Sequence, residues 1–326
     1  MAVAGRSGPA AASRAALRRL DLSVTGIWIL LAVVIALAAI GLPQFREPEN
    51  LANIIRQSTV LGMLAIGQTF VILAGLIDLS VGMATGLVVV LTCALVDGEA
   101  AMTLPVAILM LLLGAGIGAV NGLLANLFRI HPLILTFGML FILQGAIFTY
   151  ADRSVGRASE ALQTLANGDI LGIPVAGIAV LVVLAGAHLL ITRTRFGHHL
   201  VAVGGHAENA RRAGVNVARI RFLAFILSGL SAGLAGLILA GRLGTGYPLA
   251  GTGLELDAIV AVVLGGTALS GGRGSVIRSV AGVLVLSLAS NLLNLLEVSA
   301  FVQTFTKGLI VVAVILANQP RKAATA

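Results

Sequence analysis

Gly75-Leu76-Ile77-Asp78-Leu79-Ser80-Val81-Gly82 interrupts two apolar runs, 57–77 and 81–96. An ionisable residue among residues this apolar is costly to bury and is kept for a structural or functional reason. Working outward, further apolar runs bounded by charge and turn residues cover 24–42, 103–127, 132–149, 174–191, 222–241, 257–270, 276–291 and 301–317. That makes ten candidate spans. Several are shorter than the ~20 residues a crossing helix needs, which predicts tilted, broken or re-entrant segments. Of the 326 residues 58% are hydrophobic and only 10% charged, with 40 glycines. Soluble domains are nearer 45–50% apolar and about 25% charged, so an ordinary water-soluble enzyme is excluded. The sequence reads as an all-α integral membrane protein of about ten transmembrane helices.

Charge supplies a test that the span search did not use. With the N-terminus inside, only Arg46, Arg56, Arg153, Arg157, Arg242 and Lys307 fall outside or near the outer ends, leaving 15 of the 21 Lys+Arg on inner segments. This positive-inside asymmetry predicts an even span count with both termini cytoplasmic, and it accounts for the net charge of +8 without nucleic acid. Residues 1–22 and 319–326 are then cytoplasmic tails flanking a membrane domain at 23–318. A cleaved signal peptide is the rival reading of 14–42, but losing that span would turn the basic 192–221 loop outward, so retention is expected. Two stretches are loosely alike: Leu61 to Leu91 and Asp257 to Leu286 each read as helix, glycine-rich break, helix. The second break carries Gly265-Gly266 and Gly271-Gly272-Arg273-Gly274-Ser275. One such pair in each half predicts two inverted five-helix halves, a transporter arrangement. Gly114, Gly118 and Gly122, and Gly229 and Gly233, recur every four residues and predict close helix packing.

Few residues offer chemistry. No GxxxxGK[ST] phosphate loop occurs, so Leu269-Ser270-Gly271-Gly272, a string like the signature of ABC-type ATPases, has no nucleotide to act on. The five histidines lack metal-ligand spacing, no catalytic constellation stands out, and Cys93 is expected to be packing. Asp78 reads first as a cap on the following helix and second as a ligand contact. Gln68, Asn121 and Asn126 either bond across helices, the favoured reading, or line a polar path. Arg242, Glu255 and Asp257 flank a glycine-rich outer segment and pair with each other or with a partner protein. Within the long loop 192–221, Ala207-Glu208-Asn209-Ala210-Arg211-Arg212-Ala213 is helix-forming sequence stopped by Gly214. A docking element and a solvated basic loop are equally good accounts of it.

Several strings, taken in order, resemble the membrane permease subunit of ABC importers for ribose-type monosaccharides. They are Leu76-Ile77-Asp78-Leu79-Ser80-Val81-Gly82, His131-Pro132-Leu133-Ile134-Leu135-Thr136, Thr192-Arg193-Thr194-Arg195-Phe196-Gly197, Val203-Gly204-Gly205-His206-Ala207-Glu208-Asn209-Ala210-Arg211-Arg212-Ala213-Gly214, and Gly253-Leu254-Glu255-Leu256-Asp257-Ala258-Ile259 through Gly274-Ser275. His206, Leu254 and Arg278 stand where the family usually has Asn, Tyr and Gly, and 150–165 lacks its Gly-x-Pro pattern. The resemblance implies a non-catalytic subunit of the bacterial inner membrane, with two permease chains, identical or different, forming the path. It also implies a cytoplasmic ATPase that holds the ATP, so no cofactor in this chain, and a periplasmic sugar-binding protein. Gly205, Ala207, Glu208, Asn209, Ala210, Arg211, Arg212 and Gly214 become ATPase-coupling candidates. Gln68, Asp78, Asn121, Gly265 and Gly266 become candidates for path or gating, and Arg242, Glu255 and Asp257 for docking the binding protein. The open alternatives are an ABC permease for branched-chain amino acids, nucleosides or a furanone signal, and an ion-coupled secondary transporter.

Overall fold

The computed structural model describes residues 22–128, 130–299, 301–306, 308 and 309. Arg129, Lys307, both tails and most of the expected span 301–317 lie outside the described residues. The regular structure described is helical apart from one two-stranded ladder and an isolated bridge between Val155 and Gly246. In order come α1 (Leu22–Gly41), α2 (Pro48–Leu73), α3 (Val81–Val96), α4 (Thr103–Leu127), α5 (Pro132–Tyr150), α6 (Glu160–Asn167), β1 (Asp169–Ile170) and β2 (Ile173–Pro174). They continue with α7 (Val175–Arg193), α8 (Arg195–Gly205), α9 (Ala207–Arg212), α10 (Val217–Leu243), α11 (Leu254–Leu264) and α12 (Val276–Leu295). Short 3₁₀ turns, Pro43–Arg46 and Ala100–Met102, precede α2 and α4.

Among the described residues five helices are long and apolar enough to cross a membrane: α4 with its leading turn, α5, α7, α10 and α12. Gly26–Gly41 and Val81–Val96 are shorter apolar helices. Helix α2, with 26 residues, is not among the five, because it carries Gln57, Ser58, Thr59, Gln68 and Thr69. It is the interior helix: every residue from Gly62 to Leu73 is buried. A helix surrounded by protein can carry polar side chains that lipid would not tolerate, provided they find partners. Thr69 Oγ1 does so, lying 2.6 Å from Ala65 O and 2.8 Å from Ser279 Oγ on α12, within hydrogen-bonding reach of both.

Helix α10 lies beside α2, and α3, α4 and α6 pack on it; α11, α12 and α1 follow on the other side of α2. The spaced glycines make the α4–α10 seam. A Cβ at Gly118 would overlap Phe225 O, and one at Gly229 would overlap Gly114 O, so only glycine lets the backbones approach this closely. Of the five membrane-length helices, α4, α5 and α7 are the least buried, with 28%, 17% and 22% of their apolar stretches enclosed, against 67% for α10 and 61% for α12.

Two expectations change. The apolar run 257–270 is a helix only to Leu264; at 1.5 Å per residue its 11 residues cover ~16 Å, about half of a ~30 Å hydrocarbon core. Gly265 and Gly266 end it, the latter at φ 80°. The 192–221 segment, read as a loop with one short helix, is mostly helical: α8 and α9 fill it, and α10 begins at Val217, well before the expected 222.

Candidate functional site

Three of the polar candidates on different elements converge. After Leu73 the chain breaks, with Gly75 at φ 76°, and Asp78 turns back into the protein with 1% of its surface exposed. Its Oδ1 accepts from Ser80 N (3.0 Å) and Ser80 Oγ (2.6 Å), and its Oδ2 accepts from Ser228 Oγ of α10 (3.0 Å). Asn121 of α4 donates to Ser80 Oγ at 2.9 Å. With its amide oriented to satisfy both sides, Gln68 donates to Asp78 O (3.2 Å) and accepts from Asp78 N (3.3 Å). Thr136 of α5 supports the same turn, accepting from Leu79 N at 3.2 Å. Asp78 thus organises the entry to α3, two residues ahead of the first N–H it meets, and ties α2, α3, α4 and α10 together. Sequence reasoning missed Ser80, Ser228 and Thr136. Ser80 and Thr136 were within quoted strings, but nothing local marks Ser228. Asn126 also bonds across helices, to Ala218 O at 2.9 Å.

The same break meets two other glycine-rich segments, Gly204-Gly205 at the end of α8 and Gly271-Gly272 after α11. Gly272 N donates to Leu73 O at 3.0 Å. A Cβ on Gly204 would overlap Leu73 O and lie 2.6 Å from Gly272 N; one on Gly271 would lie 2.7 Å from Gly75 Cα. Three backbones therefore touch with no side chain between them. Gly271 and Gly272, at φ 84° and 73°, occupy a conformation that suits glycine. The nucleotide-signature look-alike 269–272 is part of this junction. Gly265 packs against α12, where a Cβ would overlap Arg278 O.

From the junction the chain enters α9. His206 caps it: its Nδ1 accepts from Asn209 N at 3.3 Å, the role an Asn oxygen commonly takes at a helix start. Ala210 is buried, while Glu208, Arg211 and Arg212 are exposed, with Glu208 reaching Arg211 at 3.5 Å and Arg212 at 3.2 Å. Gly214, at φ 83°, stops the helix as expected. Helix α9 is therefore a short, charged, exposed element whose preceding residues are packed against the α2 break.

At the opposite end the 244–253 segment runs down along α3. Val155 and Gly246 exchange backbone hydrogen bonds (3.1 and 2.9 Å), and Gly251 packs on Gly82 and Gly86. Helix α11 consequently starts deep in the bundle, its first turn beside that of α3, as in the broken helices of transporters. A cleft of ≈180 Å³ opens beside it, lined by Gln57, Arg242, Asp257, Ser287 and Ser290 together with apolar residues of α2, α10, α11 and α12. Arg242 and Asp257 thus share one wall. Glu255 does not join them: it is 8% exposed, lies against Gly82, and its Oε2 is buried without a hydrogen-bond partner. Its side chain is turned into the protein, unlike those of Arg242 and Asp257, which line the cleft. No metal-holding cluster of His, Cys, Asp or Glu occurs among the described residues.

Comparison with known proteins agrees with this architecture. The family described as branched-chain amino acid transport system / permease component matches residues 50–317. The ribose import permease protein RbsC of Bacillus subtilis is 37% identical over 305 residues, covering 91% of this chain and 93% of its own. RbsC of Escherichia coli strain K12 is 36% identical (90% and 93% covered), and the D-allose transport system permease protein AlsC of the same strain is 34% identical (89% and 90%). No solved structure matches. A family match over most of the chain, with relatives aligned almost end to end, means that the chain belongs to this family of membrane transport permeases and is a transport subunit, not an enzyme.

Proposed function

We propose that this chain is the membrane permease subunit of an ABC importer for a ribose-like monosaccharide. The observation that carries the reading is the pair of short helices, α3 and α11, that begin side by side inside the bundle next to a polar cleft, while their glycine breaks, joined by the bond from Gly272 N to Leu73 O, pack directly against the segment leading into α9. Identity of 34–37% with permeases named for ribose and allose along about nine tenths of the chain supports a sugar as cargo. The cleft walled by Gln57, Arg242, Asp257 and Ser287 is this chain's share of the path, and its outer mouth, with Arg242 and Asp257, receives the sugar from a periplasmic binding protein. Gln68, Asp78 and Asn121 brace the path from behind, and Gly265-Gly266 act as the hinge of α11. At the other end, Gly205, Ala207, Glu208, Asn209, Ala210, Arg211, Arg212 and Gly214 form the element that docks on a cytoplasmic ATPase, which binds the ATP.

The same reading takes the domain 23–318 as ten spans in two inverted halves, in the bacterial inner membrane, with both tails cytoplasmic and a second permease chain completing the path. The test is reconstitution in liposomes with and without the ATPase and binding protein. Sugar uptake that depends on both is expected, and undiminished uptake by the lone chain would refute it. One observation favours a second reading, branched-chain amino acids: Arg242 and Asp257 in one cleft suit the carboxylate and ammonium of a zwitterion. Binding of a leucine-type ligand, rather than a pentose, by the cognate binding protein would select it.

A further inference from the structure

At the α9 end of the bundle two adjoining clefts of ≈450 and ≈370 Å³ share Asn126 and Arg221. Arg211 of α9 lines the first and His131, at the start of α5, lines the second; among the described residues no acidic one lines either. Arg221 is half-buried near the start of α10, and its Nε is shut away from water without a hydrogen-bond partner. A guanidinium N–H left so is costly unless another group meets it. Arg211 cannot meet it, having the same charge, and the Glu208 carboxylate that Arg211 reaches is shared with Arg212. The first turns of α5 and α10 open on the clefts and add the positive end of each helix. Ile130, which lines the second cleft, and its chain neighbours Leu127, Phe128 and Ile134 are exposed, a hydrocarbon-compatible surface next to a cationic recess.

We propose that these clefts bind the phosphate of an acidic phospholipid, with its acyl chains along Leu127, Phe128, Ile130 and Ile134. Arg221 faces the phosphate oxygens with its planar fork and Arg211 closes the other side, charge-assisted bonds that a zwitterionic headgroup engages less strongly. Basic recesses between membrane helices are where such headgroups are recognised. The apolar mouth favours a lipid over free phosphate, which has no use for it. Of the reading above this takes only the embedding in a bilayer.

The full chain, extracted in mild detergent from membranes holding phosphatidylethanolamine, phosphatidylglycerol and cardiolipin, is examined by native mass spectrometry for retained lipid. Wild type retains acidic lipid in preference to phosphatidylethanolamine. Arg221→Gln lowers that retention roughly tenfold, as loss of a charge-assisted bond should. Arg211→Gln, a change at an exposed position, lowers it less, and Arg221→Lys retains most of it. Arg193→Gln removes the same charge at an exposed residue outside both clefts and leaves retention unchanged. Absence of an acidic-lipid preference in wild type, or equal loss in Arg193→Gln, overturns the site. Inorganic phosphate titrated into delipidated protein separates the sources: saturable binding lost in Arg221→Gln, without lipid preference in wild type, assigns the clefts to soluble phosphate and refutes the lipid.

Discussion

Replacing Gly204 by Ala tests whether the glycine junction mechanically joins the α9 element to the helix breaks. The added methyl would overlap Leu73 O and lie 2.6 Å from Gly272 N. Both atoms are backbone, so neither can move aside as a side chain would, and the three strands must spread. Overpacking of this kind costs about 1–3 kcal/mol. Spreading also stretches the bond from Gly272 N to Leu73 O, worth about 1 kcal/mol more. Against this, Ala is favoured over Gly in a helix by up to about 1 kcal/mol, so a net loss of about 1–3 kcal/mol is expected. The neighbouring Gly205→Ala is the matched control, because a Cβ there meets nothing within 4 Å. Thermal unfolding in detergent should fall by several degrees for Gly204→Ala and not for Gly205→Ala. In proteoliposomes Gly204→Ala should still pull down the ATPase, since the α9 surface is untouched, while sugar uptake per ATP hydrolysed falls. Wild-type unfolding temperature and uptake in Gly204→Ala would refute the junction as a rigid link.

Three further changes separate path, brace and docking. Asp78→Asn converts an oxygen that accepts from Ser80 or Ser228 into a donor, so the buried bonding around it must rearrange at a cost of about 1–3 kcal/mol, and unfolding temperature should drop; an unchanged temperature would contradict the brace. Glu208→Ala with Arg212→Ala removes only exposed side chains and an exposed ion pair, so stability should stay within about 0.5 kcal/mol while ATPase docking weakens; normal stimulated ATP hydrolysis would contradict the docking role. Asp257→Asn should reduce sugar uptake with the ATPase still docked, and unaltered uptake kinetics would remove it from the path wall.

What was legible in the sequence followed short-range rules. Helix α9 and its stop at Gly214 came from local propensity, and the α4–α10 seam from glycines four apart, since small residues at that spacing fall on one helix face. Asp78 was marked because a carboxylate among apolar residues needs a reason. Its partners were not legible, because Ser228 lies 150 residues away and a serine in a membrane helix looks the same whether it bonds its own backbone or another helix. Arg242, Glu255 and Asp257 were grouped by sequence proximity; the structure divides them, turning Glu255 into the protein and leaving Arg242 and Asp257 in the cleft. Adjacent positions on a helix point about 100° apart, so near neighbours in sequence need not share a surface.

By itself the sequence determined that this chain lives in a bilayer, which hydropathy dictates because each span must be apolar over a fixed length. It also determined where the chain breaks, because glycine is the residue that tolerates the required backbone angles. Only the tertiary structure decided which polar helix is central, that α11 is a half-length helix starting beside α3, and that Leu73, Gly204 and Gly272 meet at one point. Those outcomes depend on contacts between segments scores of residues apart, where packing and hydrogen-bond satisfaction in a water-free interior choose the partners and no local pattern records the choice.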